Sequence, residues 1–138
     1  MVEIRNFNNN TISQAAKELT NGNLISFPTE TVYGLGADAT NEKAIAKIFS
    51  NKGRPTFNPL IVHVESQEQA KKIALFNEKF EKITDKFWPG PLTIVLNRAK
   101  ENNISLLVSS GLKTIALRQP NNEIALKLIK KLNKPIAA

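Results

Sequence analysis

Short apolar runs recur along this chain between stretches whose apolar residues fall three or four positions apart. The runs are Asn23–Phe27, Leu60–Val64, Thr93–Asn97 and Lys113–Arg118. The helical stretches carry Ile12, Ala15, Ala16 and Leu19, then Ala44, Ile45, Ile48 and Phe49, then Ile73, Phe76, Phe80, Ile83 and Phe87, and last Ile124, Leu128, Ile129 and Leu132. A strand of a buried sheet reads as a short apolar run, whereas a helix lying on a sheet shows one apolar stripe. Their alternation predicts an α/β or α+β sheet with helices on at least one face.

Turn and cap residues set the expected boundaries. Thr11-Ile-Ser-Gln14 and Ser66-Gln-Glu-Gln69 have capping-box spacing, and Asn21-Gly22 ends the first helix. Trp88-Pro-Gly-Pro91 ends the third, because proline lacks the donor and clashes with the preceding turn. Pro28–Ala37 reads as a loop, 66–87 as one continuous helix, and Ile104–Val108 as either strand or helix. After the helix over Glu123–Leu132, Pro135-Ile-Ala-Ala138 looks like the first residues of another strand. No internal repeat or linker interrupts this order.

At 138 residues, 41% of them hydrophobic, the chain can bury the core of one domain. The absence of cysteine excludes thiol catalysis, Cys-based zinc sites and a disulfide framework, and fits a cytoplasmic protein. Met1–Asn10 has no cationic segment followed by an apolar one, and no run approaches the roughly 18 apolar residues of a membrane helix. A net charge of +7 favours phosphorylated or polyanionic partners. Many lysines, however, fall on helix faces (Lys71, Lys72, Lys79, Lys82, Lys86 and 127–134), where a solvated polar face also accounts for them.

Asn51-Lys-Gly-Arg-Pro-Thr-Phe-Asn-Pro-Leu-Ile-Val-His-Val64 joins the second helix to the second strand. Lys52 and Arg54 are two residues apart, so an extended backbone points both to one side. Arg54 and Asn58 each precede a proline, which biases them toward extended conformations and stiffens the backbone beneath them. Such a loop presents a cation pair and a carboxamide in fixed geometry, and the arginine fork suits phosphate or carboxylate. It also reads as a rigid connector whose charges face water. His63, the only histidine, falls on the strand face opposite Val62 and Val64, either as a hydrogen-bonded core residue or as part of a site.

With no cysteine and no second histidine, a histidine-based metal site or a two-histidine dyad within one chain is excluded. No nucleophile elbow supports a Ser-His-Asp triad. Thr29-Glu-Thr-Val-Tyr33 follows a strand end, where open α/β sheets bind ligands, or it is an ordinary turn. Gly34-Leu-Gly36 is half of a dinucleotide fingerprint whose third glycine position is Ala39, and no Gly-Lys-Ser/Thr motif occurs. A nucleotide would have to be held outside those two cradles.

Taken in order, Ser26–Ala37, Lys52–His63, Trp88-Pro-Gly-Pro-Leu-Thr93 and Thr114-Ile-Ala-Leu-Arg118 closely resemble the YrdC-like family of threonylcarbamoyl-AMP synthases. The resemblance implies a twisted mixed sheet with flanking helices around a large positive cavity. It also implies condensation of L-threonine, bicarbonate and ATP to threonylcarbamoyl-AMP and pyrophosphate, with the product passed to proteins that modify tRNA. On that likeness Lys52, Arg54 and Asn58 hold the ATP phosphates and the carbamate end, and Thr114 lies on the nucleotide side. Thr31, His63 and Arg118 cradle threonine, with Arg118 a clamp for its carboxylate. Magnesium would bridge the phosphates, and no residue need act as a covalent nucleophile. The chemistry agrees, since an anionic carbamate must approach an anionic α-phosphate and cations offset that repulsion.

In the family, the strand matching Pro135–Ala138 continues into a Pro-Ser-Ala-Asn-type segment that faces the nucleotide. The resemblance therefore implies that residues 1–138 form a single YrdC-like domain incomplete at its C-terminus. Such a chain is expected to be weakly active or inactive alone, with unpaired strand backbone at a sheet edge. The alternative, from a different class, is a tRNA or double-stranded RNA binding module without catalysis. A carbamoyl-transfer maturation factor containing such a domain would need further domains for which this chain has no room.

Overall fold

The computed structural model describes residues 3–138; Met1 and Val2, where the N-terminal stretch examined for a targeting signal begins, lie outside them. The elements in chain order are α1 (Asn9–Thr20), β1 (Ile25–Pro28), β2 (Tyr33–Asp38), α2 (Glu42–Lys52), β3 (Ile61–His63), α3 (Gln67–Lys71), α4 (Glu78–Phe87), β4 (Ile94–Asn97), β5 (Thr114–Arg118), α5 (Glu123–Leu132) and β6 (Ile136–Ala137). The strands form one mixed sheet in the order β1-β2-β6-β3-β5-β4. Only β3 and β5 run parallel; the other neighbours are antiparallel. The fold is the α/β mixed sheet with flanking helices expected from the alternation and the resemblance.

Each helix starts at a side-chain cap that accepts an orphan N–H of the first turn: Asn8, Asn41, Ser66, Asn77 and Asn122. The first box is displaced from the expected one. Asn8, not Thr11, is the cap, and Thr11 is the third helical residue whose hydroxyl accepts the Asn8 N–H. Ser66 caps α3 as expected, but the Gln69 side chain accepts from Glu65 rather than from Ser66.

Two readings are corrected. Pro28–Ala37 is not a loop throughout: its second half is β2, which pairs residue for residue with β1 from Ile25↔Gly36 to Pro28↔Tyr33. The stretch 66–87 is two helices, because the backbone at Ile73–Leu75 leaves helical geometry to bond β4 and its flank, with Leu75 N–H donating to Asn97 and Ala99 N–H to Ile73. Asn77 then caps a new helix; Phe76 and Phe80 still pack on the core, while Phe87 is exposed. The strand expected at Pro135–Ala138 is β6, which pairs with β2 on one side and β3 on the other, so the sheet edges are β1 and β4. Ile104–Val108, left open above, is neither helix nor strand; the Arg98 guanidinium ties this connection down through the Ser109 hydroxyl, the Asn102 side chain and the Ile104 carbonyl.

The two faces of the sheet are covered unequally. On one face Val62, Val64, Ile94, Leu96, Ile115, Leu117 and Ala37 pack against α2 and the α3–α4 region in a continuous core. On the other, α1 and α5 cover only the half built from β1, β2 and β6, closing over Phe27 and Ile136. The rest of that face, over β3, β5 and β4, carries no helix. Its outward residues alternate with buried ones, as in the partly exposed Thr114, Ala116 and Arg118 of β5 and the exposed Val95 and Asn97 of β4.

Candidate functional site

This open half-face gathers the predicted site residues at its two ends. His63 and Arg118 are register partners in the parallel β3–β5 pair, so both project from one level of the sheet. At the other end, the same register (Ile61↔Ala116) brings Pro59 and Thr114 to a common level. The Lys52–Pro59 loop therefore enters beside Thr114. Four residues of β5 separate the ends, about 13 Å at ~3.3 Å per residue.

His63 is 4% exposed. Its ring meets Phe27 edge to face at 5.7 Å, and Nδ1 donates to the Ile61 carbonyl at 3.0 Å, which leaves Nε2 as an acceptor. Burial drives its pKa down to about 4; the Arg118 charge lowers it further, while the Ile61 and Ile136 carbonyls and the Glu30 charge oppose the shift. At neutral pH it is an uncharged imidazole. Gly36 makes room for this wall: a Cβ there would lie 2.6 Å from Phe27 Cε1 and 2.7 Å from Ile136 Cγ2.

Arg118 is partly buried and donates Nε–H to the Thr93 hydroxyl at 2.9 Å. Its terminal amino groups have no hydrogen-bond partner among the described residues, so the fork is oriented and still free to take a carboxylate. Thr31 sits on the hairpin tip between β1 and β2. There the Thr29 hydroxyl donates to the Val32 carbonyl at 2.6 Å and accepts the Val32 and Thr31 N–H groups, which holds the turn. The Thr31 hydroxyl is 3.1 Å from that of Thr29.

One residue of this tip escaped the assignment of roles from sequence. Glu30 Oε2 accepts the Asn121 N–H at 2.7 Å, fastening the tip to the segment that follows Arg118. Its Oε1 is buried with no partner among the described residues. Leaving a buried acceptor unsatisfied costs about 1–3 kcal/mol, so an orphan here is informative. The available signal was a carboxylate between two threonines at a strand end.

The basic loop differs from its expected shape. Lys52 is the last residue of α2, and Gly53, in the left-handed region at φ 60°, caps the helix, so Lys52 and Arg54 do not share one side of an extended strand. The Arg54 side chain instead folds over its own loop, with Nε–H donating to the Asn58 carbonyl at 3.1 Å and Nη2 to the Pro59 carbonyl at 2.7 Å. That clasp fixes the turn through Asn58. Lys52 and Asn58 are exposed. Among the described residues no group of three or more His, Asp or Glu side chains is placed to hold a metal ion. A polar cleft of about 300 Å³ lies elsewhere, lined in part by Glu65, Ser66, Gln69, Lys72 and Lys134, and none of the predicted site residues lines it.

The Sua5/YciO/YrdC family model, described as telomere recombination, matches residues 17–138. The chain belongs to this family. It is 50% identical over 125 residues to the threonylcarbamoyl-AMP synthase of Pyrococcus abyssi (strain GE5 / Orsay), covering 90% of this chain and 36% of that protein. It is 45% identical to that of Bacillus subtilis (strain 168), covering 92% and 37%. The chain thus spans little more than a third of the length of these curated relatives. Among solved structures, P. abyssi Sua5 complexed with L-threonine superposes with a TM-score of 0.91 at 46% identity, over 97% of this chain and 39% of that one. E. coli YciO, at 24% identity, a TM-score of 0.85 and coverage of 96% and 64%, shares the fold. Within the Sua5/YciO/YrdC family fold, the half-face left open by α1 and α5 is the candidate site of this chain.

Proposed function

We propose that this Sua5/YciO/YrdC chain holds L-threonine and ATP for threonylcarbamoyl-AMP synthesis in tRNA modification, acting in the cytoplasm. The observation that carries the reading is the two-ended open face: His63 and Arg118 in register at one end, the clasped basic loop and Thr114 about 13 Å away at the other. An extended amino acid joined through a carbamate to a nucleotide phosphate fits that span. The similarity to a Sua5 complexed with L-threonine supports threonine as the amino acid.

In this reading the Arg118 fork takes the threonine carboxylate, Thr31 and neutral His63 offer hydrogen-bonding groups to the remainder, and Lys52, Arg54 and Asn58 face the phosphates and the carbamate, with Thr114 beside the nucleotide. Bicarbonate and the threonine amine give the carbamate with loss of water. A carbamate oxygen then attacks the α-phosphorus, and the bond to the β-phosphate oxygen breaks as pyrophosphate leaves. Magnesium belongs to ATP as substrate, because Mg²⁺ is commonly held through phosphates. The chain's own contribution is alignment and cationic stabilisation, with no covalent nucleophile. The product passes to tRNA threonylcarbamoyl-transfer proteins.

Calorimetric titration with threonine and serine at fixed salt, followed by an assay with ATP, bicarbonate and magnesium for threonine-dependent pyrophosphate release, tests the proposal. Saturable binding that prefers threonine is expected. An amino-acid-indifferent protein whose affinity for tRNA or double-stranded RNA falls steeply with salt would instead be the binding module. Against that second reading, several surface lysines are engaged on helix faces, as in Lys71–Glu81, Lys82–Glu78 and Lys127–Glu123.

A further inference from the structure

Glu30 and Arg118 are opposite charges linked through the Asn121 N–H, three residues beyond Arg118, which Glu30 accepts. Arg118 spends Nε–H on Thr93 and keeps its terminal amino groups free; Glu30 spends Oε2 on the Asn121 N–H and keeps Oε1 buried and unpartnered. Among the described residues neither forms an ion pair, with the other or with any other side chain. Both charges act on His63, which lies between β1 and β5 on the open face. A carboxylate held by one backbone bond through Oε2, with its other oxygen buried and unpartnered, lacks a donor, which the described residues do not supply. An α-amino acid carries, on a single carbon, the two groups these side chains lack.

We propose that Glu30 anchors the α-ammonium of the amino acid, Oε1 accepting its N–H while Arg118 takes the α-carboxylate. The proposal rests on the reading of the His63–Arg118 end as the threonine end. It makes the site selective for zwitterions: a 2-hydroxy acid of the same shape satisfies Arg118 but offers Glu30 Oε1 a neutral O–H in place of a charged N–H, so the charge-assisted contact is lost. It also fixes the nitrogen that must become the carbamate nitrogen. Two charge-assisted contacts to one carbon orient it more narrowly than either alone.

The test is a square of two proteins and two ligands, wild type and Glu30→Gln, each titrated calorimetrically with threonine and with 2,3-dihydroxybutanoate, its deaminated analogue. Glutamine keeps an acceptor for the Asn121 N–H and puts an NH2 donor where Oε1 stood, removing both the charge and the acceptor offered to the ammonium. The wild type is expected to bind threonine at least ten-fold more tightly than the hydroxy acid. The variant is expected to lose at least ten-fold for threonine and nothing for the analogue. Equal loss for both ligands, or none for either, overturns the assignment. So does a wild type that binds both equally, a result that needs no variant to fold. Absence of saturable threonine binding to the wild type overturns the underlying reading and the proposal with it, whereas threonine binding indifferent to residue 30 overturns the proposal alone.

Discussion

His63 and Arg118 face the same way from directly paired positions of two parallel strands, so the guanidinium charge stands beside a buried imidazole and helps to keep it neutral. Arg118→Gln removes that charge and the carboxylate fork together. Hydrogen bonds to charged groups are worth about 1.5–3 kcal/mol each, so threonine affinity should fall by roughly 30-fold or more, in a calorimetric titration. In the same variant the His63 pKa should rise from about 4, read by NMR titration of the imidazole. An unchanged His63 titration would mean that the two side chains do not share a site.

The pH dependence of folding follows from the same histidine. His63 titrates near 4 in the folded protein against 6.5 when exposed. Because the folded value is depressed, its contribution to stability is fully present above pH 6.5 and is lost as pH falls through 4. At about 1.4 kcal/mol per pKa unit the loss is on the order of 3 kcal/mol. Urea unfolding at a series of pH values should show this decline, and a His63→Gln variant should lack the step between pH 6.5 and 4.

Local sequence made the strands and most helices legible because each has one buried stripe or run and a side-chain cap. Long-range backbone pairing set what was not legible. Nothing near Ile73–Leu75 announces that these residues leave a helix to bond the end of β4, since Ile73 keeps its place in the core and so keeps the helical spacing. Tyr33–Asp38 hides a strand behind two glycines, of which Gly36 makes room for Phe27. For the site, the pre-proline positions of Arg54 and Asn58 marked out their loop. The helix cap at Gly53 and the clasp from Arg54 to the Asn58 and Pro59 carbonyls could not be inferred from spacing alone. Glu30 became visible only when its partner proved to be 91 residues away.

Lys52 and Arg54 should therefore fail differently when replaced. Lys52 is exposed at the end of α2 with no ion-pair partner among the described residues. Lys52→Ala should weaken ATP binding, shrink its salt dependence and leave the melting temperature within about 1–2 °C, as expected for a surface change within ±0.5 kcal/mol. Arg54→Lys keeps the charge but cannot reproduce the fork across two carbonyls. It should weaken ATP binding as much as Arg54→Ala and speed amide hydrogen exchange over residues 54–59. Full rescue by lysine would show that Arg54 acts through charge alone.

Adding one methyl group at Gly36 tests the wall behind His63. The new Cβ would stand 2.6 Å from Phe27 and 2.7 Å from Ile136, both core residues with nowhere cheap to go, so Gly36→Ala should cost about 1–3 kcal/mol. Because Phe27 meets the His63 ring edge to face, its displacement should also weaken threonine binding. Gly53→Ala is the control: a Cβ there meets nothing within 4 Å, but φ is 60°, so backbone strain of about 1 kcal/mol is its whole expected cost. Combining Gly36→Ala with Phe27→Leu, which removes the colliding ring, should destabilise by less than the sum of the single changes, measured by urea unfolding. Ile136 still crowds the new methyl in that double variant, so the recovery is expected to be partial, and strict additivity would mean that Phe27 is not what Gly36 makes room for.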